Sequence, residues 1–503
     1  MSKKTGLRIL IVSNLFPPDG FGGYERVCAE QASALHARGN EVSVLTTPIS
    51  TRSIRSETYK FAVNRHLQLA NEYAPLINEP AYLKAQTIFS RLVNSHNISV
   101  LIEHVSSFRP DVVLCFNLLG LGALQILATF EKLKLPWVWA LGDTIPADLF
   151  QLPELNELLA LMPFERGGSG GALNGIFVSP SKRLYQDIQE RGCNLSGDLN
   201  VISNWVDFTP ELQRSYFERG QTLRLCYCGY LSSAKGFDLC LRAIEIMRKR
   251  GRDNLVLNVF GDGDIDAFTK MAADLGISDL VHFHGFKSHD ELFALYQGHD
   301  LLLFPALLNE PFGTVSIEAA AHGCLPLIGK QAGAAEWLDD NVDCFRVERS
   351  ESAFASVLER VIAGDIELPD LARRAVERVR SQFSLGAAAE KYEDILAVCA
   401  KPCEIADCEM ESARLISMLV ERVAFAHVES HLNERRNNLQ HLTNEVTRLD
   451  GDLQEAKRGI SAYDMALVST KKDLEAAKLE IDAVKNSKLW KFRAALQAML
   501  SGR

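Results

Sequence analysis

The stretch Leu301-Leu-Leu-Phe-Pro-Ala-Leu-Leu-Asn-Glu-Pro-Phe-Gly-Thr-Val-Ser-Ile-Glu318 decides the fold. Its first four residues form an apolar run of the length of a buried strand. Pro311 and Gly313 then require a loop, and Val315 to Ala321 has the composition of a helix. A strand that leads through a glycine loop into a helix predicts one unit of a parallel α/β sheet. The backbone amides at such a helix start are unpaired and can bind a phosphate.

Short apolar runs with helical patterns between them recur on both sides of this unit. In the second half of the chain they are Leu223–Cys228, Leu255–Phe260, Val281–His284, Leu301–Phe304 and Leu325–Ile328. In the first half they are Arg8–Val12, Glu41–Thr46, Val112–Cys115, Trp137–Leu141, Gly175–Ser179 and Asn200–Ser203. Strands and helices that alternate at this spacing predict right-handed crossovers and parallel sheets. We therefore expect an α/β protein with two doubly wound domains, joined near residues 207–221, that face each other across a ligand cleft.

The composition is that of a globular protein with several domains. The 503 residues are 47% apolar and 23% charged, and they exceed what one compact core accommodates. The net charge of -10 argues against bulk electrostatic binding, so no nucleic-acid partner is expected. The apolar run before Ser13 is too short for a signal-peptide core, and Asn117, Gly120 and Gln125 interrupt the apolar stretch after Val112. We therefore expect a cytoplasmic chain.

Residues suited to binding phosphate and hydroxyl groups follow three of the predicted strands. Glu310 lies in the loop after one strand, and Glu318 lies about one turn inside the following helix, so both can face the cleft. Gly229-Tyr-Leu-Ser-Ser-Ala-Lys-Gly236 follows another strand, and its Lys235 can reach a diphosphate as a point charge. Gly22-Gly23 follows the first strand and permits close backbone approach. Two glutamates alone are usually a solvated surface pair, and the surrounding segments make them a candidate site.

Several segments agree in order and spacing with one known family. They are the strand, Gly22-Gly23 loop and helix of Arg8 to Thr47, Asn204-Trp-Val-Asp207, Gly229 to Gly236, Phe260-Gly-Asp-Gly263, His284-Gly285, Pro305, and the pair Glu310 and Glu318. With this joint pattern, the chain resembles the GT4-type retaining glycosyltransferases of the GT-B fold over roughly residues 7–400. The resemblance implies transfer of a sugar from a nucleotide sugar with retention at the anomeric carbon. It implies no metal ion and no other cofactor, and no Asp-x-Asp motif stands where a metal would need it.

The resemblance also implies a role for each motif residue. Glu318 would hold the ribose hydroxyls of the nucleotide, and Lys235 with the amides near Thr314 would hold the diphosphate. Glu310, the first candidate catalytic residue, would bind sugar hydroxyls beside the reacting carbon. The implied donor-binding residues are Gly22, Gly23, Tyr230, Lys235, Gly313, Thr314, Val315 and Glu318. Catalysis would consist mainly of positioning and of stabilising the charge on the leaving phosphate, which takes the acceptor proton.

Two positions depart from the family's pattern. Tyr230 stands where the family has an arginine, a second cation for the diphosphate, and a phenol donates one hydrogen bond without carrying charge. Gly142-Asp143 stands where the family often has His-Asp, whose histidine contacts the donor sugar. Asp143 is the second candidate catalytic residue, for holding the acceptor hydroxyl or the sugar. The alternative interpretation is that Asp143 caps the turn before Pro146.

The chain changes character after about residue 430. Apolar or small residues recur at 3-4 spacing at Leu439, Leu442, Val446, Leu449, Leu453, Ala456, Ile460, Tyr463, Leu467, Leu474, Ala477, Ile481 and Val484. More than six heptads without proline predict a coiled coil over residues 431–484, a rod roughly 70 Å long. Such a rod would join the chain into a homo-oligomer, a parallel dimer or trimer. A single amphipathic helix folded back on the body is the alternative.

The last segment, residues 485–503, is basic and amphipathic. After Asp482 no acidic residue remains, whereas positive charges and apolar residues at helical spacing follow: Lys485, Lys488, Leu489, Lys491, Phe492, Arg493, Leu496, Met499 and Arg503. Trp490 lies beside the apolar face. This pattern predicts binding to an anionic membrane surface or to a membrane-bound assembly partner. The alternative is that the tail packs on the coiled coil or on another protein.

These expectations divide the chain into six parts. They are an N-terminal Rossmann-like acceptor-binding domain at 1–206, a C-terminal nucleotide-sugar-binding domain at 207–382, a return helix at 383–400, a helical linker at 401–430, the coiled coil at 431–484 and the tail at 485–503.

The leading hypothesis is a transferase that moves a sugar from a UDP- or GDP-linked donor to a lipid-linked glycan acceptor. The pathway would be bacterial surface polysaccharide synthesis (O-antigen, capsule or exopolysaccharide), with the protein peripheral at the inner face of the cytoplasmic membrane. The alternatives are a synthase of a small soluble glycoside and a catalytically decayed transferase that acts as a coiled-coil scaffold.

Overall fold

The computed structural model describes most of the chain. The described residues are 6–18, 23–48, 58–70, 91–149, 166–167, 170–173, 175–195, 199–206, 214–306, 310–456 and 462–486.

The N-terminal domain is built on a parallel sheet. Its strands are β1 (Arg8–Val12), β2 (Glu41–Thr46), β3 (Ala62–Arg65), β4 (Val112–Cys115), β5 (Trp137–Ala140), β6 (Arg166–Gly167), β7 (Gly170–Leu173), β8 (Ile176–Ser179), β9 (Asn194–Leu195) and β10 (Leu199–Val201). Its helices are α1 (Gly23–Ala37), α2 (Ser95–Phe108), α3 (Ala123–Lys132), α4 (Ile145–Leu149) and α5 (Lys182–Glu190). Seven strands form the main sheet in the order β10-β8-β5-β4-β1-β2-β3, while β6, β7 and β9 form a small separate sheet.

The C-terminal domain repeats the plan. Its strands are β11 (Leu223–Cys228), β12 (Leu255–Phe260), β13 (Val281–Phe283), β14 (Leu301–Phe304), β15 (Leu325–Gly329) and β16 (Phe345–Val347). Its helices are α6 (Phe237–Lys249), α7 (Ile265–Asp274), α8 (His289–Gln297), α9 (Thr314–Ala321), α10 (Glu351–Ala363) and α11 (Leu368–Gln382). The parallel sheet has the order β13-β12-β11-β14-β15-β16. The prediction of two doubly wound α/β domains is confirmed.

Each sheet reverses its strand order beside its first strand. β1 pairs with β2 on one side and β4 on the other, and β11 likewise lies between β12 and β14. Loops that leave such neighbouring strands diverge and open a crevice at the carboxyl ends of the strands. Gly23 follows β1, Lys235 follows β11 and Glu310 follows β14. The topology therefore brings all three motif segments to crevices of this kind.

The chain returns to the N-terminal domain after α11. At the junction, the amide of Val206 donates to the carbonyl of Phe383 at 3.0 Å. The helix α12 (Leu385–Cys399) packs against α1 and buries Tyr392 and Leu396 in the core beneath β1. This is the place of the return helix expected at 383–400.

The long helix α13 (Asp407–Ala456) begins as part of the N-terminal domain. It packs on α2 and α3, and Met410, Ala413, Val420 and Ala424 are buried in the same core as β4 and β5. The segment 401–430, expected as a helical linker, is therefore a packed part of the domain, because its apolar stripe covers α2 and α3 instead of facing solvent.

The end of α13 and the helix α14 (Ala462–Asn486) form an antiparallel helical hairpin. One groove is lined by Asn438, His441 and Leu442 of α13 and by Asp473, Ala476, Ala477 and Glu480 of α14. In one continuous helix Leu442 and Ala477 would lie about 50 Å apart, so the chain must reverse direction between them.

This pairing corrects the expected continuous rod. Of the heptad residues whose side chains the structure describes, Val446, Leu474 and Ile481 are each less than a tenth exposed. Assembly of the chain into a parallel dimer or trimer stays a prediction. Lys485 and Asn486 end α14, and the other tail residues lie outside the described part of the chain. Among the helices of the described residues, none is long and apolar enough to cross a membrane.

Candidate active site

Lys235 and Glu310 meet between the loops that follow β11 and β14. The Lys235 Nζ donates to Glu310 Oε2 at 2.6 Å, with the lysine side chain 47% exposed and the glutamate side chain 18% exposed. Ser232 fixes the lysine's loop, because its side chain accepts a hydrogen bond from the Lys235 amide at 3.2 Å. A cation and a carboxylate are thus held together at the mouth of the cleft, within reach of an anionic ligand.

The helix α9 presents its N-terminus to the same place. Gly313 precedes it in the left-handed conformation, with φ 91°. A Cβ at Gly313 would lie 2.5 Å from Cε1 of Phe304, so no other residue fits there without displacing the ring. Gly313 offers no side-chain cap, and the first amides of α9, at Thr314 and Val315, have no acceptor within the helix, so they are suited to bind an anionic ligand. The Thr314 hydroxyl accepts from Asn204 Nδ2 of the domain junction at 3.2 Å.

Glu318 lies one turn further along α9 and is only 2% exposed. Two side chains that belong to no recognised motif contact its Oε1. Nη2 of Arg26, from α1 of the other domain, lies at 3.2 Å, and Nε2 of His289, at the start of α8, lies at 3.3 Å. The carboxylate expected to hold ribose hydroxyls is therefore already bound across the cleft in this structure.

Sequence reasoning missed Arg26 and His289. Neither residue stands in a glycine loop, and their meeting depends on how the two domains face each other. One sequence signal was available for Arg26, since it follows the Gly22-Gly23 loop on the first turn of α1, which is also where Glu25 points inward.

Asp143 caps the turn into α4 and is half-buried. Its Oδ1 accepts from the Ile145 amide at 2.9 Å, which is the capping arrangement named as the alternative. Burial, together with the nearby carboxylates of Asp148 and Glu25, raises the pKa of Asp143 to about 7. A carboxyl group with this pKa exchanges a proton near neutral pH, so capping and a role toward a hydroxyl are compatible.

Gly142 lies against the ring of Tyr24. A Cβ at Gly142 would approach Tyr24 Cζ to 2.7 Å, and the Tyr24 hydroxyl donates to the carbonyl of Ala140. A histidine at this position, as in the family's pattern, would collide with the ring. The departure at Gly142 is therefore matched by a tyrosine from α1 that fills the space.

The other expected donor-binding residues lie around the same cleft. Gly23 is exposed at the start of α1, and a Cβ built on it meets no atom within 4 Å, so its backbone is approachable. Gly22 lies outside the described residues. Tyr230 is 62% exposed, and its carbonyl accepts from the Tyr227 hydroxyl at 3.2 Å.

The glycines at 261 and 263 let two loops touch by their backbones. The Leu231 amide donates to the Asp262 carbonyl at 2.8 Å, and a Cβ at Gly261 would lie 1.9 Å from the Gly229 carbonyl oxygen. Gly261 also has φ 147°. These contacts explain why the two motif segments occur together, since one packs on the other.

The loop of Glu310 is held against the N-terminal domain. The Ser181 hydroxyl donates to the Pro311 carbonyl at 2.7 Å. The Glu336 carboxylate accepts from the amides of Lys182 at 2.8 Å and Arg183 at 2.7 Å, so it caps α5 from the opposite domain. Both domains therefore build this part of the cleft.

The fold is similar to solved structures in which two such domains enclose a cleft. HepE of Anabaena, in complex with UDP and glucose, is 16% identical with a TM-score of 0.54, and the match covers 78% of this chain and 100% of that one. The architecture is the GT-B fold.

Sequence relatives agree with this fold. A D-inositol 3-phosphate glycosyltransferase of Corynebacterium aurimucosum is 30% identical over 197 residues, which is 38% of this chain and 46% of the relative. The lipopolysaccharide 1,2-N-acetylglucosaminetransferase of Salmonella typhimurium is 28% identical over 231 residues, 44% of this chain and 54% of the relative. The chain thus spans about half the length of these relatives. Residues 208–382 match the model of the family Glycosyl transferases group 1.

Proposed function

We propose that this chain is a retaining glycosyltransferase that takes a sugar from a nucleotide-sugar donor. One observation carries the proposal: Lys235, Glu310, the N-terminus of α9 and the buried Glu318 converge within two loops and one helical turn. A nucleoside diphosphate needs these groups, since its phosphates take cations and amides and its ribose hydroxyls donate to a carboxylate. The domain that carries them is the one that matches the family.

The roles follow from the chemistry of each group. The diphosphate competes with Glu310 for Lys235 and receives the amides of Thr314 and Val315. Glu310, displaced from the lysine, accepts hydrogen bonds from sugar hydroxyls beside the anomeric carbon. The barrier falls because these groups stabilise charge on the leaving phosphate, which takes the proton of the acceptor hydroxyl.

The positive charge for the diphosphate comes from the protein in this proposal. We therefore expect no requirement for a divalent metal, and a transfer rate unchanged by EDTA after dialysis tests this. Restoration of a lost rate by added Mg²⁺ or Mn²⁺ would contradict it.

The proposed acceptor is a lipid-linked glycan of a bacterial surface polysaccharide. The lipopolysaccharide transferase of Salmonella typhimurium supports the pathway as a relative. The antiparallel pair of α13 and α14 supports a membrane role for the tail 485–503. Asn438 of α13 faces Glu480 of α14, so the end of α14 lies beside α13 about eight residues after Ala424, or roughly 12 Å along the helix. Ala424 itself packs in the N-terminal core. A tail that starts there begins beside the acceptor domain, so peripheral binding at the inner face of the cytoplasmic membrane would bring the cleft to its acceptor.

The first experiment is a thermal-shift panel on the purified full chain. A ligand that binds only the folded state raises the melting temperature, so UDP, GDP and their sugars are compared at matched concentrations. We expect one nucleotide to stabilise the wild type and to act less on Lys235→Ala and Glu318→Ala. If no nucleotide sugar stabilises or is consumed by the wild type, the proposal is wrong and the scaffold alternative is favoured.

A small soluble acceptor is the second candidate. The relatives named D-inositol 3-phosphate glycosyltransferase favour it. Transfer to membrane vesicles that carry lipid-linked glycan, compared with transfer to inositol phosphate in solution, separates the two acceptor classes.

A further inference from the structure

Arg26 is a cation that the N-terminal domain places in the nucleotide site. It lies on the first turn of α1, and its side chain is 28% exposed. Its guanidinium lies 3.2 Å from Glu318 and 2.8 Å from Nε2 of His289. An arginine can only donate, so Nε2 of His289 accepts, and the imidazole in this contact is neutral with its proton on Nδ1.

Two further residues aim Arg26 at the cleft. Glu30 lies one turn along α1, and its Oε1 is 3.5 Å from Nη1 of Arg26. The other oxygen of Glu30 accepts from the indole Nε1 of Trp205 at 2.5 Å. Trp205 is buried at the domain junction. The chain thus carries a tryptophan whose N–H fixes the glutamate that holds this arginine.

The loop after β11 lacks the arginine of the family's pattern and presents the exposed phenol of Tyr230 instead. A diphosphate carries more than one negative charge, whereas Lys235 provides a single positive charge. Glu318, which the guanidinium of Arg26 contacts, lies about one helical turn after the first residue of α9, a rise of roughly 6 Å along the helix. A flexible arginine side chain can cover such a distance and can contact a phosphate through two N–H groups at once.

We propose that Arg26 is the second cation of the donor site. In the empty site Arg26 neutralises Glu318, and His289 accepts a hydrogen bond from the same guanidinium. When a nucleoside diphosphate binds, the ribose hydroxyls replace Arg26 at Glu318, and Arg26 moves to the diphosphate, with Glu30 and Trp205 as its positioning residues. The inference rests on the proposed function and names a binding residue that the motifs do not contain.

The test separates the diphosphate from the nucleoside. Calorimetric titrations of the full chain measure Kd for UDP and uridine, or for GDP and guanosine if the panel selects guanine. For Arg26→Ala we expect the Kd of the nucleoside diphosphate to rise at least about tenfold. The Kd of the nucleoside should stay equal or fall, because Glu318 loses a competitor. Arg26→Lys keeps the charge but loses the paired N–H groups, so its Kd for the nucleoside diphosphate should lie between those of the wild type and of Arg26→Ala.

Arg38→Ala is the matched control. Arg38 follows the last turn of α1 and pairs with Glu393 at 2.8 Å, away from the cleft. Its Kd values should equal those of the wild type, and thermal melts of all variants show whether the fold is kept. Trp205→Phe, which removes the indole N–H, should weaken diphosphate binding by a smaller factor than Arg26→Ala.

Each outcome decides between distinct statements. Tighter binding of both ligands to Arg26→Ala would mean that Arg26 only occludes Glu318. An unchanged Kd for the nucleoside diphosphate would mean that Arg26 does not reach the diphosphate. Either result overturns this inference while leaving the proposed function intact, provided that Lys235→Ala still weakens diphosphate binding. Absence of diphosphate binding to the wild type overturns the proposed function, and this inference with it.

Discussion

The two Rossmann-like domains share a sheet plan but are built from the chain in different ways. The core of the C-terminal domain is made from one continuous stretch, from Val206 to Phe383. The core of the N-terminal domain also requires α12 and the first turns of α13, which come from the other end of the chain. The N-terminal domain is therefore complete only after the C-terminal domain has been made.

The domains also differ in how they hold their site residues. The C-terminal domain carries Lys235, Glu310 and Glu318 on two loops and a helix that follow neighbouring strands. The N-terminal domain contributes Arg26 and Asp143 from a helix and a turn, and packing aims them. The C-terminal candidates and Asp143 can be recognised along the sequence, whereas the contact of Arg26 becomes visible only in the fold.

Truncation should produce the largest difference between the domains. Removal of residues 431–503 takes away the hairpin and should leave both domains folded. Removal of residues 401–503 also uncovers the apolar surface of α2 and α3. The N-terminal domain then loses the burial of four side chains, worth roughly 5 kcal/mol of its free energy of unfolding: Met410, Ala413, Val420 and Ala424. Differential scanning calorimetry should show one early transition in the longer truncation and an unchanged C-terminal transition. Equal melting of both truncations would contradict a role of α13 in that core.

The next largest effect is expected on binding of the nucleotide-sugar donor. Lys235→Ala and Glu318→Ala should each raise the Kd of the nucleoside diphosphate by about 100-fold, because charge-assisted hydrogen bonds are lost. Glu310→Ala should lower kcat more than it weakens donor binding, since Glu310 would hold the sugar and not the diphosphate. Steady-state kinetics with titration of the donor check this division. Three variants with wild-type kcat and KM would show that the assigned site is wrong.

The sequence predicts the buried strands and the glycine loops for a physical reason. The runs Leu223–Cys228, Leu255–Phe260 and Leu301–Phe304 have the strand bounds that the structure shows. A strand buried on both faces must be a continuous apolar run, and a loop that approaches phosphate must contain glycine. Both requirements leave marks at fixed positions along the chain.

The hairpin and the Arg26 contacts leave no such marks. The heptad pattern of residues 439–484 fits a helix pair of either direction, and only the facing of Leu442 with Ala477 shows that the pair is antiparallel. Arg26 lies 292 positions before Glu318 in the sequence. A contact of that separation is set by the orientation of two domains, which periodicity and motif spacing do not encode.

Two glycines test the comparison at the level of single atoms. Gly313→Ala should lower the stability of the C-terminal domain by about 1–3 kcal/mol, because the residue has positive φ and its Cβ meets the Phe304 ring. Gly23→Ala in the N-terminal domain should change stability by at most about 0.5 kcal/mol, since the space around it is open. Thermal melts of the two variants measure the difference. A strongly destabilised Gly23→Ala would show that this loop is tighter than its geometry indicates.

The smallest effect concerns Asp143 and pH. Its pKa is raised to about 7 in the folded chain, against about 3.9 in an unfolded one. The folded state therefore binds more protons between pH 4 and 7, and stability must fall as pH rises through that window. Asp143→Asn still accepts the Ile145 amide but cannot ionise, so its melting temperature should exceed that of the wild type by a few degrees at pH 8 and approach it at pH 4. Asp370, on the first turn of α11, is exposed, so Asp370→Asn is the control. A parallel pH dependence of all three proteins would contradict the raised pKa. Because Asn keeps the cap, the same variant also divides the two interpretations of Asp143: a loss of kcat at pH 8 with the fold retained would assign the carboxylate to the reaction, whereas full activity would leave it as the cap of α4.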